Sequence, residues 1–441
     1  MRRMLLIVTI LLFAGSTAAL ARVPAMPFND AQPLQPGYTP AATPGEIPVR
    51  FGPGGPGNSV LDAMNYLIGS QSDVTEDNAG NGAPDVDLED GGWDWVLTAP
   101  NYQHTSAASP TNIYGETALG LYYAYLVSPA PRALIAMQDA AAEMIADAGI
   151  RSGSDVVFLL LYGDLVSDDS AKNAAKAKYD GRIATYGSAQ ALVEWIRDSR
   201  HGQGFDNGII PWDIAAWVEA AALLDAEFGG YAADAVAMAE VIYQDSFAGN
   251  PGYFQPFDTG ANDGYDPDYG NPDFWYYNCG LAGIVTAFQA AGVYSTELGD
   301  CIYRLQENRF PSGAMGDANG INAGDEDWQS TAEVGRALAD VNATTYAADI
   351  AAGNGWLALT QDPASGGWVY GSGSHYPQVG GEILASLAAT VAVVGPDVPP
   401  SGCLSSATPC VTVPVTITRN DAALLRGFSV QVSISGGLTL C

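Results

Sequence analysis

A short stretch, "WLALTQDPASGGWVYG" at residues 356–371, carries the pattern that decides the fold. It joins an aromatic–leucine pair to a glutamine, and then to a Gly-Gly-Trp turn that ends at Trp368. "YLIGSQ" at residues 66–71, followed after an acidic insert by "GGW" at 91–93, repeats the pattern. Looser copies begin at Trp195 and Tyr303. The repetition predicts a repeated structural unit.

The two best copies predict how such a unit is held together. A glutamine near the end of a helix is expected to bond the exposed backbone of that helix end. The Gly-Gly turn is expected to fold the tryptophan back onto a helix pair, where its large ring buries apolar surface. Gln71 with Trp93, and Gln361 with Trp368, are therefore predicted to clasp neighbouring helices.

Apolar residues recur at helical spacing in about twelve segments between residues 58 and 394. Helices that are apolar on more than one face stack as pairs. The Gln/Trp repeat resembles the QW motif of terpenoid cyclases, and the region is similar to the α/α-toroid that these enzymes share with protein prenyltransferases. The resemblance implies a mainly α fold, an α/α-toroid over residues 58–395, with paired helices closed into a ring.

The chemistry of those families is not expected here. "PDFWYYNCGLAGI" at residues 272–284 resembles a prenyltransferase β-subunit segment, but Tyr276 stands where that family has a zinc-ligating histidine. No cysteine precedes Cys279 to supply the family's other zinc ligand, and the Asp-x-Asp-Asp motif of the cyclases is missing. Zinc, prenyl transfer and terpene cyclisation are therefore disfavoured.

The two ends of the chain differ from the helical region. Residues 1–21 have the charged, apolar and small-residue parts of a signal peptide, which predicts a secreted or cell-surface protein. Residues 22–57 form a Pro/Gly-rich tether. Residues 396–441 switch to period-two alternation, resemble the first strands of a cohesin-like β-sandwich and are interpreted as the truncated start of such a domain, after a linker.

The charge balance limits the partners. The formal net charge is −32, which repels phosphate backbones and anionic headgroups, so we expect no nucleic acid and no membrane insertion. An extracellular polysaccharide or a surface protein is the expected partner. The export signal permits disulfides, and the pairs Cys279/Cys301 and Cys403/Cys410 are candidates, with Cys441 left over.

Two acidic segments are candidate binding sites. The first favours calcium, because carboxylates in a glycine-containing loop are ligands that calcium prefers; a solvated loop without a cation is the alternative. Its candidate ligands are Asp77, Asp85, Asp87 and Asp90. The second places aromatic rings beside carboxylates, a combination that binds sugars, or else rings that fill the ring mouth. Its candidates are Asp266, Tyr269, Trp275 and Tyr276.

Further candidates lie near the starts of helices that follow Gly-rich segments. In a toroid these helix starts gather at one end of the central cavity, so Asp213 and Asp327 are candidate catalytic carboxylates. Ser330 and Glu333 have the spacing of a capping box, which predicts a capping role for Glu333. The candidate ligand-binding residues at this mouth are Trp93, Glu116, Trp328 and His375.

These observations favour a secreted α/α-toroid protein that binds a glycan or a protein at an acidic-aromatic ring mouth. The alternative is an enzyme, a polysaccharide lyase or a glycoside hydrolase, that uses paired carboxylates. The sequence does not decide between binding and turnover, because the separation of the carboxylates is a property of the fold.

Overall fold

The computed structural model describes residues 56–71, 91–93, 96–98, 113–146, 152–202, 210–248, 278–317, 320–362, 365–370 and 374–389. Within these ranges there are thirteen helices: α1 Pro56–Gly69, α2 Ile113–Val127, α3 Pro131–Ala146, α4 Gly153–Val166, α5 Asp169–Tyr186, α6 Ala189–Gly202, α7 Ile210–Phe228, α8 Ala232–Ser246, α9 Asn278–Ala291, α10 Ser295–Glu307, α11 Trp328–Asn342, α12 Ala347–Thr360 and α13 Pro377–Ala389. No described helix has both the length and the uninterrupted apolar character needed to cross a bilayer.

Six helices form an inner ring. In order around the ring they are α2, α4, α7, α9, α11 and α13, and α13 packs back against α2 to close it. The remaining helices pack outside, where α1, α3, α5, α8, α10 and α12 each contact at least one inner helix and α6 lies against α7 and α8. This is the α/α-toroid that the sequence predicts, with the core between the two layers.

The inner helices are apolar around most of their circumference because both sides are covered. In α4 every residue from Gly153 to Gly163 is buried, and in α13 every residue from Pro377 to Ala388 is buried. Glycines allow close backbone contact between inner neighbours. A Cβ atom at Gly381 in α13 would lie 2.5 Å from the Cα of Thr117 in α2, and one at Gly153 in α4 would lie 2.5 Å from the carbonyl carbon of Ala216 in α7.

Four two-residue strands lie at the starts of inner helices. β1 Leu97–Thr98 pairs antiparallel with β4 Ser374–His375, and β2 Met315–Gly316 pairs antiparallel with β3 Glu326–Asp327. β4 ends just before α13, and β3 leads directly into α11. The strands therefore fix how the chain enters two of the inner helices.

The two predicted clasps are present, and the tryptophan makes the same hydrogen bond in both. The Trp93 indole nitrogen donates to the Leu67 carbonyl at 2.9 Å, and Trp368 donates to Leu357 at the same distance. The glutamine role differs from the prediction. The amide of Gln361 donates to the carbonyl of Gly366 at 2.6 Å, so glutamine holds the turn while tryptophan bonds the helix end.

Gln71 makes the equivalent bond to Gly91 at 2.7 Å and a second bond to the Ala136 carbonyl in α3 at 2.8 Å. Gly91 and Gly366 both have positive φ, of 89° and 82°. A Cβ atom at either position would collide with the backbone of an outer helix, at Asp139 or Asp62 respectively. Glycine is therefore required at the first position of the turn for two reasons, the positive φ and the lack of space for a Cβ atom.

The degenerate copies behave differently. In the fourth copy, which begins at Tyr303, the turn survives at Gly313, and an arginine, Arg309, donates to its carbonyl at 2.8 Å. The buried Met315 follows Gly313 at the spacing of tryptophan in the good copies. In the third copy Trp195, which corresponds to Trp356, is 45% exposed and packs on Tyr186. Phe205, which corresponds to Trp368, lies outside the described residues.

Several expectations fall outside this description or are corrected by it. The signal peptide, residues 22–55 of the tether, the β-sandwich segment and Cys403, Cys410 and Cys441 lie outside the described residues. The last two residues of the predicted tether, Pro56 and Gly57, belong to α1. The proposed Cys279/Cys301 bridge is wrong, because both thiols are free and buried. Cys279 belongs to inner helix α9 and Cys301 to outer helix α10, and only Cys301 is part of the apolar core.

Candidate functional site

One face of α11 lines the inside of the ring. Gln329, Glu333, Arg336 and Asp340 are spaced by three or four residues, which places them in one row along the helix. Three charged side chains from other inner helices meet this row: Glu116 from α2, Glu219 from α7 and Glu382 from α13. Because these helices surround the axis, the charges form a column inside the ring.

Three glutamates form the centre of this column. One carboxylate oxygen from each of Glu116, Glu333 and Glu382 lies within 4.8 Å of those of the other two, and all three residues are buried. We call these residues the glutamate triad. Two of its oxygens, Glu333 Oε1 and Glu382 Oε2, are buried without a hydrogen-bond partner among the described residues. Buried polar atoms are normally satisfied, so an orphaned pair at one place indicates a functional site.

The other contacts of the triad hold the side chains in place. Gln378 and Gln329 donate to Glu382 Oε1 at 2.6 and 3.2 Å. Arg336 Nη1 donates to Glu116 Oε2 at 3.3 Å. Glu382 and Glu116 are thus each oriented by a side chain from α11.

Arg336 is the cation that the triad contacts. Its Nη2 donates to Glu219 at 2.9 Å, its Nη1 donates to Glu116 at 3.3 Å, and its guanidinium lies over the Tyr123 ring at 6.0 Å. One buried arginine therefore faces several carboxyl groups. Since like charges a few ångströms apart in a buried site repel strongly, the carboxyl groups cannot all ionise together.

The protonation of the triad follows from this arrangement. Burial raises the pKa of Glu116 to about 8, although Arg336 opposes the shift. Burial raises the pKa of Glu382 well above its usual range, and the charges of Glu333 and Glu116 raise it further. Burial also raises the pKa of Glu333, but there the charge of Arg336 acts in the opposite direction. Glu382 therefore favours its protonated form, whereas the positive charge of Arg336 favours ionisation of Glu333 and of Glu116.

The spacing of the triad would also suit a cation. Arg336 already supplies positive charge to Glu116, and protons neutralise carboxylates at this spacing without a metal. We therefore assign no metal to the triad. The predicted calcium ligands Asp77, Asp85, Asp87 and Asp90 lie outside the described residues.

Aromatic rings border the triad where α11 and α13 begin. The Tyr370 ring meets Trp328 edge-on at 4.8 Å and Tyr376 edge-on at 4.9 Å. Trp328 is the first residue of α11, and Tyr376 immediately precedes α13. Burial raises the pKa of the Tyr370 hydroxyl, and the charges of Asp327 and Glu382 raise it further, so this ring lies within electrostatic range of both carboxyl groups.

Asp327 and Asp213 were the predicted catalytic pair. Asp327 is the N-cap of α11, and its carboxylate accepts from the backbone N–H of Ser330 at 2.6 Å. The predicted capping box is therefore wrong: Asp327 caps the helix, and Glu333 points into the ring. Asp213 lies in the first turn of α7. Burial raises the pKa of the Cys279 thiol well above its usual range, and the charges of Glu333, Glu382, Asp327 and Asp213 raise it further, so these four carboxyl groups lie within electrostatic range of one thiol.

The predicted ligand-binding residues divide into groups. Trp93 is fully buried in its clasp, and His375 is buried against Tyr66 with ring centroids 5.1 Å apart. Glu116 belongs to the triad and Trp328 to the aromatic border. Asp266, Tyr269, Trp275 and Tyr276 lie outside the described residues.

Sequence reasoning missed Glu382, Arg336 and Tyr370, and gave Glu333 a capping role. For two members of the triad, the sequence contains a pattern that points to a buried functional acid. Glu382 is the only charged residue in α13, and Glu116 is the only charged residue in α2. A single acid in an otherwise apolar, buried helix is costly unless it has a partner or a function.

Comparison with solved structures supports the fold. The cellobiose 2-epimerase from Bacillus thermoamylovorans B4167 matches with a TM-score of 0.50 at 12% identity, over 75% of this chain and 98% of that one. A sugar epimerase from a ruminal bacterium matches with a TM-score of 0.50 at 13% identity, over 76% and 97%. An unsaturated glucuronyl hydrolase specific for heparin matches with a TM-score of 0.47 at 11% identity, over 76% and 96%.

No protein-family model and no curated protein sequence matches the chain. The matched structures confirm the α/α-toroid prediction. They do not support the narrower resemblance to terpenoid cyclases and prenyltransferases. At these identities the likeness extends to the fold, and the function has to be argued from the triad.

Proposed function

We propose that this protein is a carbohydrate-processing enzyme that hydrolyses a glycosidic bond with Glu382 and Glu333. The observation that carries the proposal is the pair of orphaned oxygens, Glu333 Oε1 and Glu382 Oε2, on two buried carboxyl groups at the centre of the ring. The sugar-processing neighbours support the same class of substrate. This favours the enzymatic alternative over ligand binding without turnover.

The different environments of the two groups assign their roles. Glu382 lies among carboxylates and holds its proton, which suits a general acid. Glu333 is nearer the positive charge of Arg336, which suits an ionised nucleophile. In the first step Glu382 gives its proton to the leaving-group oxygen while a Glu333 oxygen attacks the anomeric carbon. In the second step Glu382 takes a proton from water, which attacks the same carbon and releases Glu333.

The separation of the carboxyl groups predicts the stereochemical outcome. Retaining enzymes hold their two carboxyl groups about 5 Å apart, whereas inverting enzymes need about 6.5–9.5 Å to admit a water. Oxygens of Glu333 and Glu382 lie within 4.8 Å of each other. We therefore expect retention of configuration at the anomeric carbon.

The test is turnover and product analysis on a panel of oligosaccharides with Glu382→Gln and Glu333→Gln. Each variant keeps the side-chain volume and removes the titrating group. We expect each to lose a factor of about 10² or more in kcat, the usual contribution of such a group. Asp169→Asn is the matched control, because the Asp169 side chain is 89% exposed on outer helix α5.

Circular dichroism and thermal unfolding of each variant separate lost chemistry from lost structure. Full activity in folded Glu382→Gln and Glu333→Gln would refute the assignment. Saturable glycan binding by the wild type with no product of hydrolysis, epimerisation or elimination would support the binding function instead. An epimerised product would keep the substrate class and replace the reaction.

A further inference from the structure

The aromatic border of the triad consists of three rings held rigidly. The Trp328 indole donates to the hydroxyl of Thr360 in α12 at 3.0 Å, which fixes the orientation of the ring. Tyr370 packs edge-on between Trp328 and Tyr376, and all three side chains are partly exposed. We call these three residues the aromatic platform.

The platform lies beside the acid–base pair. Burial and the charge of Glu382 both raise the pKa of the Tyr370 hydroxyl. Tyr376 lies six residues before Glu382, immediately before α13. Trp328 begins the helix that carries Glu333 one turn further on. A ligand resting on the platform would therefore be next to the two carboxyl groups.

Partly exposed aromatic faces next to carboxyl groups suit a sugar ring. The C–H face of a pyranose packs on an aromatic ring, and its hydroxyls bond nearby carboxyl and amide groups. Gln329 lies close to the platform and already donates to Glu382, so an amide is also at hand.

The charged residues around the platform determine whether it can bind a charged or an uncharged sugar. A uronic acid needs an arginine or lysine to compensate its carboxylate in a partly buried site. Arg336, the cation of the triad, is already engaged by Glu116 and Glu219. Among the described residues at the platform and the triad, no second arginine or lysine is present.

We propose that the aromatic platform is the sugar-binding subsite of the triad and that it accepts an uncharged sugar ring and excludes uronic acids. This rests on the proposed function and narrows it to neutral glycans. It also argues against the polysaccharide lyase alternative, because β-elimination needs a carboxylate next to the carbon that loses its proton.

The test is binding by isothermal titration calorimetry to two sets of oligosaccharides of equal length. The neutral set comprises β-linked gluco-, xylo- and manno-oligosaccharides, and the acidic set comprises oligogalacturonate and a glucuronate-containing oligosaccharide. The full chain carrying Glu382→Gln prevents turnover during the titration. We expect binding to at least one neutral probe and none to the acidic probes at 150 mM salt, roughly physiological ionic strength.

A second variant tests the platform itself. Tyr370→Ala in the same background is expected to weaken neutral binding by about ten-fold, as expected for loss of one aromatic contact. Tyr303→Ala is the matched control, because Tyr303 is 58% exposed on α10. Thermal unfolding of both variants shows whether the fold is kept.

The results separate this proposal from the proposed function. Tighter binding of an acidic probe, equal affinities of Tyr370→Ala and Tyr303→Ala, or no binding of any probe would each overturn the subsite. Neutral binding that is lost in Tyr370→Ala while Glu382→Gln retains wild-type turnover would uphold the platform and refute the catalytic pair.

Discussion

Trp368 donates its indole N–H to the carbonyl of Leu357 at 2.9 Å and so bonds the last turn of the helix that precedes it in sequence. Trp93 makes the same bond to Leu67 at the end of α1. Helix ends leave four carbonyls without partners inside the helix, and each tryptophan satisfies one of them while burying its ring. The clasp therefore joins a hydrogen bond and apolar burial in one side chain.

Replacing Trp368 by phenylalanine should destabilise the fold. The variant keeps most of the apolar ring but removes the indole donor, so the Leu357 carbonyl keeps only the longer bond from the Thr360 hydroxyl at 3.3 Å, a loss that we expect to cost about 1 kcal/mol. Trp195→Phe, at an exposed position without a clasp, should change the unfolding free energy by less than about 0.5 kcal/mol. Urea unfolding followed by circular dichroism measures both. Equal effects would show that the clasp contributes nothing specific.

Gly381→Ala should strain the closure of the ring. The added methyl would meet the α2 backbone at Glu116 and Thr117, which has no flexible side chain to move aside. We expect a loss of about 1–3 kcal/mol in unfolding free energy, as for overpacked cores. Gly299→Ala in α10 is the control, since a Cβ there meets nothing within 4 Å, and it should stabilise slightly. A neutral Gly381→Ala would contradict close packing of α13 on α2.

The triad predicts falling stability as pH rises. The folded protein raises the pKa of Glu116 from 4.5 to about 8, so between these values the folded state holds a proton that the unfolded state releases. Stability from this group is complete below pH 4.5 and declines by at most about 1.4 kcal/mol per pH unit until pH 8. Glu116→Gln should flatten the dependence of the urea midpoint on pH between 5 and 8. Identical slopes in variant and wild type would contradict the raised pKa.

The burial of the His375 imidazole predicts that the protein becomes less stable at acidic pH. Burial lowers the pKa of His375 from 6.5 to about 4, so the folded state holds the neutral imidazole while the unfolded state takes up a proton below pH 6.5. Stability from this group is complete above pH 6.5 and declines as pH falls to 4, by up to about 3 kcal/mol. His375→Asn should reduce the decline in thermal midpoint between pH 6.5 and 4.5. The imidazole signals in an NMR titration report the same pKa directly.

The clasps were predictable from sequence because all their parts lie within one short segment. An aromatic–leucine pair, a glutamine and a Gly-Gly-Trp turn reveal both the helix end and the side chain that bonds it. The triad was less accessible, because Arg336 and Glu116 are 220 residues apart and meet only once the ring has closed. Glu333 also had a local alternative, a capping box, which failed because Asp327 took the N-cap position instead. Contacts within one short segment could thus be predicted from sequence, whereas electrostatic contacts between distant segments could not.

The contact between α2 and α13 has a consequence for biosynthesis. As the nascent chain leaves the ribosome, α2 emerges long before α13, and the flank of α2 that α13 covers has no permanent neighbour until α13 is made. Until then the arc of inner helices has two uncovered edges. A chaperone that shields such edges would be needed most just before residue 377 appears, and a ribosome stalled there would expose the protein to aggregation.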